Sequence, residues 1–408
     1  MRIAEINEGC GIGSTGSLSL DLSKDAIRRG DEVFFAYANI DSFKLQKSAR
    51  VGNTIEHYFH ALDSRITGKQ GYASRFSTIR LLHQFQRFAP DVVNLHNLHG
   101  NYINLKLLFS YLGEYKIPTV ITLHDSWFYT GKCTYYFGAG CTKWKTNCGS
   151  CPLLHKDNVN PTWLFDRTSR CLNDKKRWLS ALPFLYVVGV SEWITNEAKQ
   201  SFLKENASFT TIYNWVDSQI FKPTQNDFRK KTSINGEKLI LMVSSTISRS
   251  KSYDEMVYLA SKIAPNQLLV LAGANPERLA IPKNVIYLGE VSSKERLADL
   301  YSSADVVVNT TQFETFGLVT AEALSCGTPV IVYNNTGSAE LVNERTGMKI
   351  NKEDGMEAIC CAVNTILFNT KEFYYQNCLN FAKALFGKEQ NIEKYMEIYK
   401  KAKAKETW

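Results

Sequence analysis

Gln312-Phe313-Glu314-Thr315-Phe316-Gly317-Leu318-Val319-Thr320-Ala321-Glu322-Ala323-Leu324-Ser325-Cys326-Gly327-Thr328-Pro329 decides how this chain folds. Before it, Val306-Val307-Val308 reads as a strand buried on both faces, and after it Val330-Ile331-Val332 reads as the next one. Gly327 and Pro329 stop the helix between them. The unit is therefore strand, loop, helix, strand, with Glu314 on the loop and Glu322 inside the helix. Open α/β sheets bind ligands at such carboxyl-end loops. The backbone N–H groups of Gly317 and Leu318 open the helix and suit a phosphate. Beside that anion, one carboxylate can accept hydrogen bonds from sugar hydroxyls and the other can reach a ribose. The pattern points to a sugar-nucleotide site.

Outward from this motif the same alternation repeats. Leu239–Val243, Leu268–Ala272 and Val285–Leu288 are strands that precede it. A separate series holds Arg2–Ile6, Glu32–Ala38, Asp91–His96, Thr119–His124 and Phe184–Val190, with helices expected over roughly Ser17–Arg29 and from about Glu192. This is an α/β chain of two Rossmann-like halves, divided near Asn214–Asp217, and Lys388–Ala404 reads as one long terminal helix. A length of 408 residues agrees with two domains.

Hydrophobic content of 44% and charged content of 22% are ordinary for a water-soluble chain. No apolar run approaches the ~20 residues of a membrane span. The amino terminus enters a glycine loop within its first turns instead of forming a signal peptide, so a cytoplasmic location with ten reduced cysteines is expected. The net charge of +8 is uneven. Arg65, Lys69, Arg75, Arg80 and Arg87 are interleaved with Tyr72, Phe76, Leu81, Leu82, Phe85 and Phe88 and no acid. That stretch suits an anionic membrane surface, or equally a solvated helix packed on the first domain. No nucleic-acid motif accompanies the charge, so nucleic acid is not an expected partner.

Four further groups of residues carry chemistry. Gly11-x-Gly13-x-x-Gly16 has the dinucleotide spacing, but Ala36-Tyr37-Ala38 stands where that fingerprint needs an acid, so NAD is not expected. The loop reads as a close-approach turn at a cleft, or as a turn that serves packing alone. His124-Asp125 ends a strand on the side where ligands bind, and His96 and His99 are weaker acceptor-side candidates. Lys251, with Arg249 nearby, follows the first strand of the second half and offers cationic stabilisation of a leaving group, or forms a solvated loop pair. Cys133, Cys141, Cys148 and Cys151 could hold a structural zinc tetrahedrally, or be free thiols or a redox pair. No Asp-x-Asp pair occurs, in keeping with catalysis that needs no metal clamp on phosphates.

The Glu-x7-Glu segment resembles that of retaining glycosyltransferases of the GT-B fold, family 4. His-Asp-x-Trp from His124, through Cys148-Gly-x-Cys151-Pro, to Asp166-Arg167-x-Ser169 resembles the members that build colanic acid and capsular polysaccharides. The resemblance implies two Rossmann-like domains facing across a cleft, the last helix crossing back to the first. Residues 1–215 with 388–408 would bind the acceptor, and 216–387 the nucleotide-diphosphate sugar. It places Glu314 beside the donor sugar, Glu322 on the ribose, and Phe316-Gly317-Leu318 and Gly13 at the diphosphate. His124 would lie at the reacting sugar and Lys251 at the leaving diphosphate, with Gly11, Gly16, His96 and Asp125 on the acceptor side. Ser252 departs from the family, which has glycine there, and no arginine stands in the customary earlier position. The implied activity is hexosyl transfer to a lipid-linked oligosaccharide at the cytoplasmic face of the inner membrane, for capsule or exopolysaccharide. A non-catalytic nucleotide-sugar-binding protein and a sugar-nucleotide epimerase of the same fold are the alternatives.

Overall fold

The computed structural model describes the chain except residues 41–44, 157–160, 233, 235, 249–252 and 406–408. It divides into two compact units, Met1–Ile212 with Ile392–Trp408, and Tyr213–Asn391.

The first unit is built on a 7-stranded parallel sheet: β1 (Arg2–Cys10), β2 (Glu32–Ile40), β3 (Ser48–Arg50), β4 (Val92–Leu95), β5 (Thr119–Leu123), β6 (Leu185–Gly189) and β7 (Ala207–Thr211). Their order is β3-β2-β1-β4-β5-β6-β7. Ile3 pairs with Val33 on one side and Val92 on the other. Three helices of this unit matter below: α1 (Gly13–Arg28), α2 (Thr54–Thr67) and α3 (Arg75–Phe88). The glycine segment is shorter as a loop than its sequence implies. β1 runs on to Cys10 and α1 begins at Gly13 rather than Ser17, so Gly13 and Gly16 lie in the first helical turn.

The second unit carries a 6-stranded sheet of β8 (Lys238–Thr246), β9 (Gln267–Ala274), β10 (Val285–Tyr287), β11 (Val306–Asn309), β12 (Val330–Tyr333) and β13 (Gly347–Ile350), in the order β10-β9-β8-β11-β12-β13. Every β11 residue is buried, which is why the Val306–Val308 run reads so clearly. Each fully buried valine contributes about 1.5–3 kcal/mol over an exposed one.

The terminal helix Lys388–Ala404 joins the first unit from Ile392 onward. Lys403 lies 3.2 Å from Asp91, Arg29 pairs with Glu393, and Tyr399 is fully buried. In each sheet the chain reverses its direction of growth once, between β1 and β4 and between β8 and β11. Those two switch points open crevices at the carboxyl ends of the strands.

Candidate active site

In the second unit the switch point is bordered by the loop from β11 to the helix Leu318–Ser325. Asn309, the last residue of β11, donates from Nδ2 to Glu314 Oε2 and to Thr320 Oγ1, both at 3.1 Å. The Glu314 backbone is fixed as well: its N–H donates to Thr336 Oγ1 (3.3 Å), and its carbonyl accepts from the Gly337 N–H (2.9 Å). Gly317 has φ 102°, and a Cβ there would stand 2.8 Å from Ser338 Cβ and 3.1 Å from Glu314 Oε2. Only glycine allows this turn, which brings the carboxylate against the helix start. That start has no side-chain cap, leaving backbone N–H donors of Leu318 and its successors for an anion. Phe316 is buried edge-on against Phe386 at 5.7 Å, so its ring anchors the loop and only its backbone can face a ligand.

Glu322 lies one helical turn further on, half-buried, and accepts from Tyr301 Oη at 3.0 Å. Burial pushes its carboxyl up to about 7, against the opposing effects of Tyr301 and Lys294, and the charge of Glu314 adds to the rise. Arg249 and Lys251 lie outside the described residues.

In the first unit the glycine loop separates into two roles. A Cβ at Gly16 would lie 3.0 Å from the Gly9 carbonyl oxygen, so Gly16 serves the close approach of α1 to β1. Gly13 has φ +65° and nothing within 4 Å of where its Cβ would be. Gly11 is also left-handed, at φ 76°. The open face is thus at Gly13, above another helix start without a side-chain cap.

Past β5, His124 is buried and its ring stacks on that of His96 with centroids 5.2 Å apart. His124 Nε2 lies 2.9 Å from His96 Nδ1, and His96 Nε2 lies 2.8 Å from Glu5 Oε2. Tyr399 Oη donates to the other oxygen of Glu5 at 2.8 Å, and Asn94 Nδ2 donates to that same phenol at 2.7 Å. Burial raises Glu5 to about 8 and lowers His96 and His124 to about 3. Near neutral pH the line therefore holds a protonated carboxyl and two uncharged imidazoles. His99 Nε2 meets Asp125 Oδ2 at 2.9 Å, while Asp125 Oδ1 accepts from the Trp127 N–H at 2.8 Å. Asp125 is consequently a clamp on the loop. Glu5, Asn94 and Tyr399 are absent from the sequence-derived candidates; the available signal was a lone carboxylate in the apolar strand Arg2–Ile6.

Cys133, Cys141, Cys148 and Cys151 line one cavity of about 10 Å³ with Tyr136 and Trp144. A hydrogen bond with Cys133 lowers the Cys151 thiol to about 7, and burial lifts Cys148 to about 11. None of the ten cysteines is joined in a disulfide, and among the described residues no three His, Cys, Asp or Glu side chains converge as a metal-holding group. The cavity gathers the ligand types that suit zinc without closing a coordination shell.

The part of the chain holding Glu314, Gly317 and Glu322 matches a known family model, "Glycosyl transferases group 1", over residues 224–354. Those residues are a glycosyl transferases group 1 domain. The chain is accordingly a transferase enzyme. Over 98% of its length, and 99% of the relative's, it is 23% identical to WcaC of Escherichia coli (strain K12), named for colanic acid biosynthesis as a glycosyl transferase. A GDP-mannose-dependent phosphatidylinositol dimannoside mannosyltransferase of Mycobacterium tuberculosis is 30% identical over 42% of this chain and 48% of its own. Among solved structures, sucrose-phosphate synthase from Thermosynechococcus elongatus superposes with a TM-score of 0.68 at 16% identity, covering 99% of this chain and 100% of that one. Anabaena HepE, solved with UDP and glucose, also gives 0.68 at 16% identity, with 98% and 99% covered. The fold is that of the GT-B glycosyltransferases, as the sequence implies.

Proposed function

We propose that the enzyme is a retaining glycosyltransferase that takes a hexosyl group from a nucleotide-diphosphate sugar and adds it to a lipid-linked oligosaccharide for a surface polysaccharide. The observation that carries this reading is the Asn309–Glu314–Gly317 arrangement, a fixed carboxylate against an uncapped helix start at a switch point. Glu314 holds hydroxyls of the donor sugar, Glu322 the ribose, and the Gly317–Leu318 amides with Lys251 and Arg249 the diphosphate. His124, held neutral by burial, presents a hydrogen-bonding nitrogen to the reacting sugar or acceptor. The acceptor oxygen bonds to the anomeric carbon on the face from which the diphosphate departs. The departing phosphate oxygen takes the hydroxyl proton. Stabilising the developing negative charge is the dominant requirement of such a step. The missing Asp-x-Asp pair supports transfer without a metal clamp. HepE with UDP and glucose supports a nucleoside diphosphate as the bound product, and WcaC, named for colanic acid biosynthesis, supports a role in building a surface polysaccharide. A lipid-linked acceptor puts the enzyme on the cytoplasmic membrane face as a peripheral protein; among the described residues no helix is long and apolar enough to cross a membrane. A structural zinc on Cys133, Cys141, Cys148 and Cys151, against free thiols or a redox pair, is the reading that metal analysis of the purified protein tests.

The decisive experiment is thermal stabilisation by UDP, GDP, ADP and NAD, in wild type and Lys251→Ala. A diphosphate at a hundredfold excess over its dissociation constant adds about 2.7 kcal/mol. A shift with one diphosphate, lost in the variant, supports the donor site. A shift with NAD alone, or with none, refutes it. Conversion of a donor sugar in the absence of any acceptor would instead support epimerisation.

A further inference from the structure

Helix α2 is built inside out. Its buried side chains are His60 and Ser64, whereas Ile55, Tyr58, Phe59 and Leu62 are exposed. Spacings of three, four and seven residues put these four on one face. Tyr58 is 73% exposed and Phe59 68%. A helix that places aromatic rings in water while burying an imidazole and a hydroxyl is oriented by its polar contacts. His60 Nδ1 lies 2.8 Å from Ser74 Oγ at the start of α3, and Ser77 of α3 donates to Glu56. Burial depresses His60 to about 4, so the anchoring ring is neutral.

The apolar surface extends to both neighbours of α2. On α3, Phe76 is 87% exposed, whereas Leu81 and Phe85 turn into the core. Beyond the end of α2, the Trp163 N–H donates to the Arg65 carbonyl at 2.6 Å, and Trp163-Leu164-Phe165 are all exposed. Gly68 is what lets that turn sit so close, since a Cβ there would stand 2.0 Å from the Phe165 carbonyl oxygen. An apolar surface of this extent marks an interaction site. The charges around it have one dominant sign. Arg75, Arg80 and Arg87 of α3 and Arg167 after the turn are exposed. No Asp or Glu occurs from Ser64 to Pro90, and on α2 itself Glu56 is engaged by Ser77 and Asp63 is half-buried.

We infer that the outward face of α2, with Phe76 and the Trp163–Phe165 turn, docks into the interfacial layer of an anionic phospholipid bilayer. Tyrosine and tryptophan favour that layer, and the arginines complement its negative charge. This identifies the surface that serves the lipid-linked acceptor, and it rests on that reading of the acceptor. The sequence stretch Arg65–Arg87 contains only its rim; the apolar centre is on the preceding helix.

Flotation of the full chain with phosphatidylcholine vesicles, containing or lacking phosphatidylglycerol, tests the inference. Binding is expected with phosphatidylglycerol at low salt, falling steeply at 0.5 M NaCl as screening shortens. Tyr58→Ser with Phe59→Ser should lower partitioning about a hundredfold, since each ring contributes about tenfold. Arg75→Gln with Arg80→Gln should cost about fivefold per arginine, on anionic vesicles only. Circular dichroism and melting should be unchanged in both. Wild type that fails to float at low salt, or a double aromatic variant that floats like wild type, overturns the proposal. So does a dimer in solution that Tyr58→Ser with Phe59→Ser dissociates, which would make this face an interface between copies. Because no donor is present, flotation succeeds or fails separately from sugar transfer, which is assayed on a detergent-soluble acceptor.

Discussion

Each unit holds a carboxyl near its switch point whose acidity is weakened by burial and which accepts from a buried tyrosine, yet the two are differently placed. Glu5 sits within a strand, sealed from water, with Tyr399 on one oxygen and His96 on the other. Glu322 sits on a short helix, half-buried, with Tyr301 on one oxygen and the Glu314 loop beside it. The first arrangement fixes the hydrogen-bonding sense of two buried, neutral imidazoles. The second leaves a carboxyl able to change protonation and meet a ligand. Burial alone therefore does not make a binding group; what matters is which side of the carboxyl is still open.

The largest test of this contrast is Glu314→Ala, which takes away the carboxylate set against the helix start. Transfer should fall at least a hundredfold, roughly 3 kcal/mol, as when one preorganised transition-state contact is lost. Steady-state rates with nucleotide sugar and acceptor decide it, and near-normal turnover would remove Glu314 from the site.

Next come the tyrosines. Tyr399→Phe leaves Glu5 and Asn94 facing a missing hydroxyl in a dry interior, and should cost about 2 kcal/mol in denaturant unfolding. Tyr301→Phe strips the same bond from a half-buried carboxyl that water can reach, so a loss of about 1 kcal/mol or less is expected. Equal losses would erase the distinction between the two carboxyls.

Acid should move the units in opposite directions. All seven histidines precede Tyr213. His60, His96 and His124 are lowered from 6.5, so the unfolded chain binds their protons first, and their stabilisation is lost as pH falls below 6.5 toward 3–4. Glu5, raised from 4.5 to about 8, opposes them, because its folded form keeps a proton that the unfolded chain releases above 4.5. Between pH 6.5 and 4.5 three imidazoles outweigh one carboxyl, each group counting about 1.4 kcal/mol per pH unit. In the second unit Glu322, raised to about 7, should add stability as pH falls from 7 to 4.5. Scanning calorimetry at pH 7.5 and 5.5 should show the first unit's transition fall and the second's rise; a common downward shift would contradict these protonation states.

The strands legible in the sequence are those buried on both faces, such as Val306–Val308 and Val330–Val332. The ones that escape, Ser48–Arg50, Ala207–Thr211 and Gly347–Ile350, are all sheet edges, where partial exposure admits serine, threonine, lysine and arginine. Glu314 and Glu322 were readable because their meaning is local to one loop and helix. Glu5 was not, since its partner Tyr399 is 394 residues away. Nor was the surface of α2, because helical periodicity shows that a face is apolar but not which face turns inward.

Tyr399 also sets an order of events during synthesis. Domains generally fold from the amino terminus as the chain emerges. Here the first strand's Glu5 waits, beside two histidines, for a phenol that the ribosome adds 394 residues later. The first half can collapse early, but its buried polar line closes only after the second half has been translated. A nascent chain halted before Tyr399 would expose that gap, so the unit made first is finished by a residue made long after it.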